Sequence, residues 1–255
     1  MSAGAKATVA VLALLAGSPA AADVNVIATY EARMLVKVGD LRTDTVVGPA
    51  AYRLGARLTT IGAMGVIKPN ILLIQADGVT RGGAPVPVVY LQTEKGKRRV
   101  TRYNGGVGWR SLGDPLTQLM RAELQPGTGS PCLGSMPVYD GRQRYDLGLY
   151  PMGGGSLTGA AAGLGLTRPV SCRFGFKPIS GFGGSKKGGV NVMRGDPVAT
   201  FGFHPGAQVW VLTDIAVPTL LGTGHIALTS ARIGGTKPVL GGPSAAAKPP
   251  ARTRR

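Results

Sequence analysis

Histidine and cysteine are scarce in this chain, with two of each among 255 residues. A structural zinc site wants four nitrogen or sulfur ligands at set spacings, so no metal and no cofactor is expected. No serine stands in a G-x-S-x-G elbow, and no glycine-rich stretch carries a phosphate-loop lysine in register. The segment "GGSKKGG" sets lysines among glycines without the strand-to-helix setting such a loop needs. Aromatic residues make up 5% of the chain, thin for a base-stacking platform. Acidic residues number 12 against 29 Lys and Arg, and two aspartates six positions apart, Asp140 and Asp146, have no reason to face one cleft. These shortages argue against an enzyme and against nucleic acid as a partner.

Long apolar runs are missing as well. The one near the start, Val9 to Ala16, is too short to span a bilayer. It follows Lys6 and precedes Gly17, Pro19 and Ala20-Ala21-Ala22. A charged start, a short apolar run and an A-x-A site make a secretory leader. Cleavage is expected after Ala22, and the chain is expected in the periplasm with no transmembrane segment. In that oxidising setting Cys132 and Cys172 read as a disulfide, the alternative being two free buried thiols.

Glycine (41) and proline (19) are abundant, and both destabilise helix interiors. The composition suits a turn-rich β protein. The net charge is +17, which makes an anionic lipid, an acidic glycan or an acidic envelope protein a natural partner, or serves solubility alone.

Period-two alternation recurs in "NVIATYEARMLVKVG" and "AYRLGARLTT", the mark of strands with one buried face. "NILLIQADG" is a short apolar run ending in a turn signal, Asp77-Gly78. Val86 to Glu94 and Lys97 to Tyr103 form a hairpin about Lys95-Gly96, with Arg98, Val100 and Arg102 on one face. "DPLTQLMRAEL" is the one helix: Asp114 caps it, Pro115 takes its first position, and Leu116, Leu119, Met120 and Leu124 recur at helical spacing. That stripe reads as core. Two glycine-rich stretches, 151–167 and 183–196, read as loops, and "VSCRFGFKPISGF" between them as a strand. The expectation is a mainly β fold, a large curved antiparallel half-barrel-like sheet with one amphipathic helix packed on it. One β-rich domain covers 23–233 and a disordered basic Pro/Ala/Gly tail covers 234–255.

The helix, the following "PC", then "PVYDGRQRYDL" and "SCRFGFKPISGF" resemble a family of Gram-negative exported proteins, domain of unknown function three-one-zero-eight. The likeness runs from about Val26 to Ile233, and its most specific part is the Asp-Gly-Arg-x-Arg-Tyr-Asp run. It implies a periplasmic β-rich fold and no reaction.

Two readings of "MPVYDGRQRYDL" stand. Asp140-Gly141 can occupy the centre of a type I′ turn, with Met136 to Tyr139 pairing Arg142 to Tyr145 and the arginines pointing out. Alternatively Arg142 and Arg144, with Tyr145, form a fork for a phosphate or carboxylate. The leading expectation is a binding or accessory protein of the cell envelope that holds an anionic or lipid-like ligand on its sheet. The alternative is an interaction protein that docks an envelope partner. A hydrolase using His204, His225 or Asp140 comes third.

Overall fold

The computed structural model describes residues 23–60, 70–81, 84–104, 112–182 and 195–235. The expected leader, segment 183–194 of the second glycine-rich stretch and the tail from residue 236 lie outside the described residues.

The fold is mainly β, with 67% of the described residues in strands. Twelve antiparallel strands form one sheet: β1 Val24–Arg33, β2 Lys37–Val47, β3 Ala51–Thr60, β4 Ile71–Arg81, β5 Ala84–Glu94, β6 Lys97–Arg102, β7 Gly134–Tyr139, β8 Arg144–Gly154, β9 Thr167–Ser180, β10 Val198–His204, β11 Val209–Thr219 and β12 Gly222–Gly234. Their order is β6-β5-β4-β3-β2-β1-β12-β11-β10-β9-β8-β7. Two six-stranded meanders are thus joined back to back through β1 and β12. The helix α1, Pro115–Glu123, lies in the sequence between β6 and β7, the two edge strands.

The sheet is curved, and α1 lies over its concave side. The helix touches β4 and β5 from one end of the sheet and β7 and β11 from the other. The edges meet without pairing as a ladder. The Tyr103 hydroxyl donates to the Tyr139 carbonyl, and the Thr101 hydroxyl donates to the Asp140 carbonyl at 3.4 Å. The result is a half-barrel that stays open. Among the described residues no helix is long and apolar enough to cross a membrane.

The helix is pinned at three places. Asp114 is fully buried at its N-cap and accepts from the Thr117 N–H at 2.8 Å and the Thr117 hydroxyl at 2.5 Å. Since that hydroxyl donates to Asp114, it accepts from the Tyr52 hydroxyl of β3, 2.8 Å away. Gln118 Nε2 donates to the Pro137 carbonyl of β7 at 3.0 Å, and an Arg121 N–H donates to the Pro85 carbonyl of β5 at 2.9 Å. Gly78 makes room for this: a Cβ there would sit 2.4 Å from the Tyr52 ring. Gly78 is therefore a packing position inside β4, not the turn that Asp77-Gly78 suggested, and the strand runs on to Arg81 with a register shift at that point.

The expected hairpin at Lys95-Gly96 is present, with positive φ at both residues as a type I′ turn requires. The first glycine-rich stretch is not a loop. Pro151–Gly154 extends β8 against β9, and Gly159–Leu164 forms a 3-10 helix against β12. Leu157, Leu164 and Leu166 anchor this segment in the core, which small glycines between them concealed. Cys132 and Cys172 are bonded, tying the segment after α1 to β9.

Asp114→Ala removes the cap and leaves the Thr117 hydroxyl short of its acceptor. Urea denaturation should show a loss of about 2–4 kcal/mol; a loss within error of zero would remove Asp114 as the anchor. Replacing both Cys132 and Cys172 by Ala should cost about 4 kcal/mol for a loop of 40 residues, measured the same way.

Candidate functional site

The Asp140-Gly141 hairpin forms, with a different turn from the two-residue type I′ expectation. Tyr139 pairs Arg144 and Val138 pairs Tyr145, so the loop has four residues, 140–143. Asp140 Oδ1 accepts from the N–H groups of Arg142 at 2.8 Å and Gln143 at 2.6 Å, and this closes the wider loop. Gly141 has φ +94° with the Thr101 side chain packed against it, so only glycine fits. The shift from the expected register is two residues, which leaves each side chain on its expected face. Tyr145 is buried, against Phe176 at 4.9 Å between ring centroids, and its hydroxyl is pushed well above the ordinary tyrosine range by burial. Arg142 and Arg144 are exposed, and their side chains make no hydrogen bond or ion pair among the described residues. The three residues of the expected anion fork are therefore not brought together around one point.

The two histidines stand apart. His204 Nδ1 accepts from the Ala207 N–H at 3.0 Å and shapes the β10–β11 turn. His225 Nδ1 lies 3.1 Å from Asp214 Oδ2, half exposed. No nucleophilic hydroxyl is hydrogen-bonded to either among the described residues. No group of three or more His, Cys, Asp or Glu that could hold a metal occurs among them either.

The concave side of the roll holds a different feature. Beneath α1 lies a cavity of about 260 Å³. One wall comes from β1 to β4, with Leu41, Leu54 and Ile74; the other comes from β8 to β11, with Leu149, Phe174, Phe201 and Leu212; the roof is Leu116, Leu119 and Met120 of α1. The helical stripe read as core is in part the roof of this space. Small inward residues on one wall, Thr43 and Ala56, paired directly across β2 and β3, leave the space open. Larger apolar residues there would close the gap beneath the helix. Ala199 is small on the opposite wall.

Two titratable side chains line this space, Tyr30 and Glu123. The Tyr30 hydroxyl is driven far above the ordinary tyrosine range, first by burial and then by the charge of Glu123 nearby. Glu123 closes α1 and has no hydrogen-bond or ion-pair partner among the described residues. Burial raises its carboxyl to a pKa of about 7. The residue is half-buried, at the edge of the apolar lining. A helix C-terminus is also a poor place for negative charge. Sequence reading missed Glu123, although a signal was present. Leu116, Leu119, Met120 and Glu123 fall at i, i+3, i+4 and i+7, so the acid occupies a position of the apolar stripe. No arginine or lysine lines the cavity.

No family model matches the chain, and no curated protein and no solved structure matches it.

The raised pKa of Glu123 sets a pH dependence. Between its ordinary value near 4.5 and about 7 the folded state holds a proton that the unfolded chain has released. Stability is then greatest below pH 4.5 and falls as pH rises to 7, by at most roughly 3 kcal/mol. Glu123→Gln should match the parent at pH 4.5 and exceed it by about 1–3 kcal/mol at pH 8 in urea denaturation. Equal stability at both pH values would show that the carboxyl is solvated.

Proposed function

We propose that this chain is a binding protein that holds an apolar, lipid-like chain in the cavity between α1 and the concave face of the sheet. The observation that carries the reading is the cavity itself: a space lined almost wholly by aliphatic and aromatic side chains, roofed by a single helix. Its volume, about 260 Å³, lies just under the ~300–1,000 Å³ common for small-molecule sites. A buried methylene contributes about 0.8 kcal/mol. Ten would supply roughly 8 kcal/mol before the costs of association, enough for weak to moderate affinity. The leader-like first 22 residues and the disulfide support work in the periplasm, as an envelope binding or accessory protein.

The reading keeps the lipid-like ligand expected from the sequence and moves its contacts from Arg142, Arg144 and Tyr145 to the cavity. A second reading, docking of an acidic envelope partner, draws on the convex face. There Arg42 of β2 lies directly opposite Arg57 of β3, with Leu73 and Val100 exposed nearby. Like charges set opposite each other destabilise a bare sheet, which favours an anionic surface against them.

The test is titration with the neutral fluorophore N-phenyl-1-naphthylamine, alongside native and denaturing mass spectrometry of the purified protein. Saturable binding to the parent is expected, reduced about tenfold or more by Ala56→Phe, which fills the cavity from β3. The variant's melting temperature shows that it is folded. Equal binding by a folded Ala56→Phe variant would remove the cavity as the site.

A further inference from the structure

We infer that Glu123 selects the head of the guest, so that the cavity takes an apolar chain ending in a hydrogen-bond donor, a hydroxyl or an amine, and refuses one ending in a carboxylate or phosphate. The inference rests on the cavity being a binding site and adds the class of ligand. Among the described residues Glu123 is the one acidic side chain on the lining, and no basic side chain lines it. Its carboxyl has no hydrogen-bond or ion-pair partner among the described residues. A half-buried carboxyl without a partner in an apolar space favours whatever supplies a donor. In its ionised form it offers only acceptors, and a second anion beside it in an apolar space would be repelled and left unpaired. In its protonated form it still accepts through its carbonyl oxygen, so a hydroxyl head is served in either state. An ammonium head gains most when the carboxyl is ionised, as a charge-assisted pair.

The helix end positions the group for this. Glu123 is the last residue of α1, and the roof residues Leu116, Leu119 and Met120 precede it along the same stripe. A chain lying under the roof would run along the stripe and bring its head to Glu123. The net charge of the protein works in the opposite direction. At +17 it attracts anions to the surface, so a preference for amines over carboxylates could not come from general electrostatics. The comparison is therefore a stringent one.

The experiment measures binding of decylamine, decanol and decanoate to the full chain at pH 8, each kept below its aggregation limit, by displacement of N-phenyl-1-naphthylamine and by calorimetry. Decylamine and decanol should bind, with decanoate weaker by about tenfold or more. Glu123→Leu should abolish the advantage of the amine, and Glu123→Gln should keep the alcohol while weakening the amine. Decanoate binding as well as decylamine, or an order of preference that survives Glu123→Leu, would overturn the inference and leave the cavity intact as an unselective apolar site. Failure of all three to displace a probe that binds would overturn both the inference and the reading beneath it. The urea stability of each variant at pH 8 shows that a changed preference is not a loss of fold.

Discussion

Everything in this molecule depends on where the chain places α1. Two meanders joined through β1 and β12 leave β6 and β7 as distant edges of one sheet, and the chain must still pass from one edge to the other by way of the helix. The sheet rolls so that both of its ends come within reach of the helix, which lies across the opening. The buried Asp114 fixes one end of α1 through Thr117 and Tyr52. Gln118 and Arg121 then reach opposite edges, to Pro137 and Pro85. A helix held by polar contacts at its start and sides need not be packed tightly along its underside. That freedom permits a space beneath it, and the small residues Thr43 and Ala56 leave room on its wall.

The parts of this fold that were legible in the sequence are local. Asp114-Pro115 at a helix start, Lys95-Gly96 between alternating arms and an even pair of cysteines each carry their signal within a few residues or in a simple count. Strand order does not. The pairing of β1 with β12 joins Asn25 to Gly234, some two hundred residues apart, and nothing near either residue announces it. The glycine-rich segment 151–167 misled because composition was weighed above spacing. Leu157, Ala161 and Leu164 recur at helical intervals and pack inward, while the glycines between them only keep the segment slim. Asp77-Gly78 misled in the same way: a turn signature served to seat the Tyr52 ring.

The setting of the candidate site was legible, its residues were not. A large sheet with a single amphipathic helix packed on it followed from the alternating strands and the Asp114-Pro115 helix start. The residues chosen for contact were drawn from the most conspicuous cluster, and conspicuous residues in a sequence are often those that face water. Arg142 and Arg144 are exposed, and Tyr145 is buried for packing. Glu123 was passed over as one acid within a helix, although it sits on the apolar stripe and not on the polar face.

Charge explains why the two approaches diverged. A net charge of +17 draws attention to arginines and to anions, but net charge governs solubility and encounter and says little about a buried site. On the convex side of the roll Arg42, Arg53, Arg57, Arg98 and Arg102 are exposed to water. On the concave side, the polar groups lining the cavity are the hydroxyls of Tyr30, Thr43 and Thr45 and the carboxyl of Glu123. The sheet thus separates two electrostatic worlds by the period-two alternation of its strands alone. On the proposed reading, a guest brings apolar surface for the walls and a donor for Glu123, and an anion meets no basic group in the lining among the described residues. The carboxyl at the end of α1 therefore weighs more in the proposed binding than the surface arginines do.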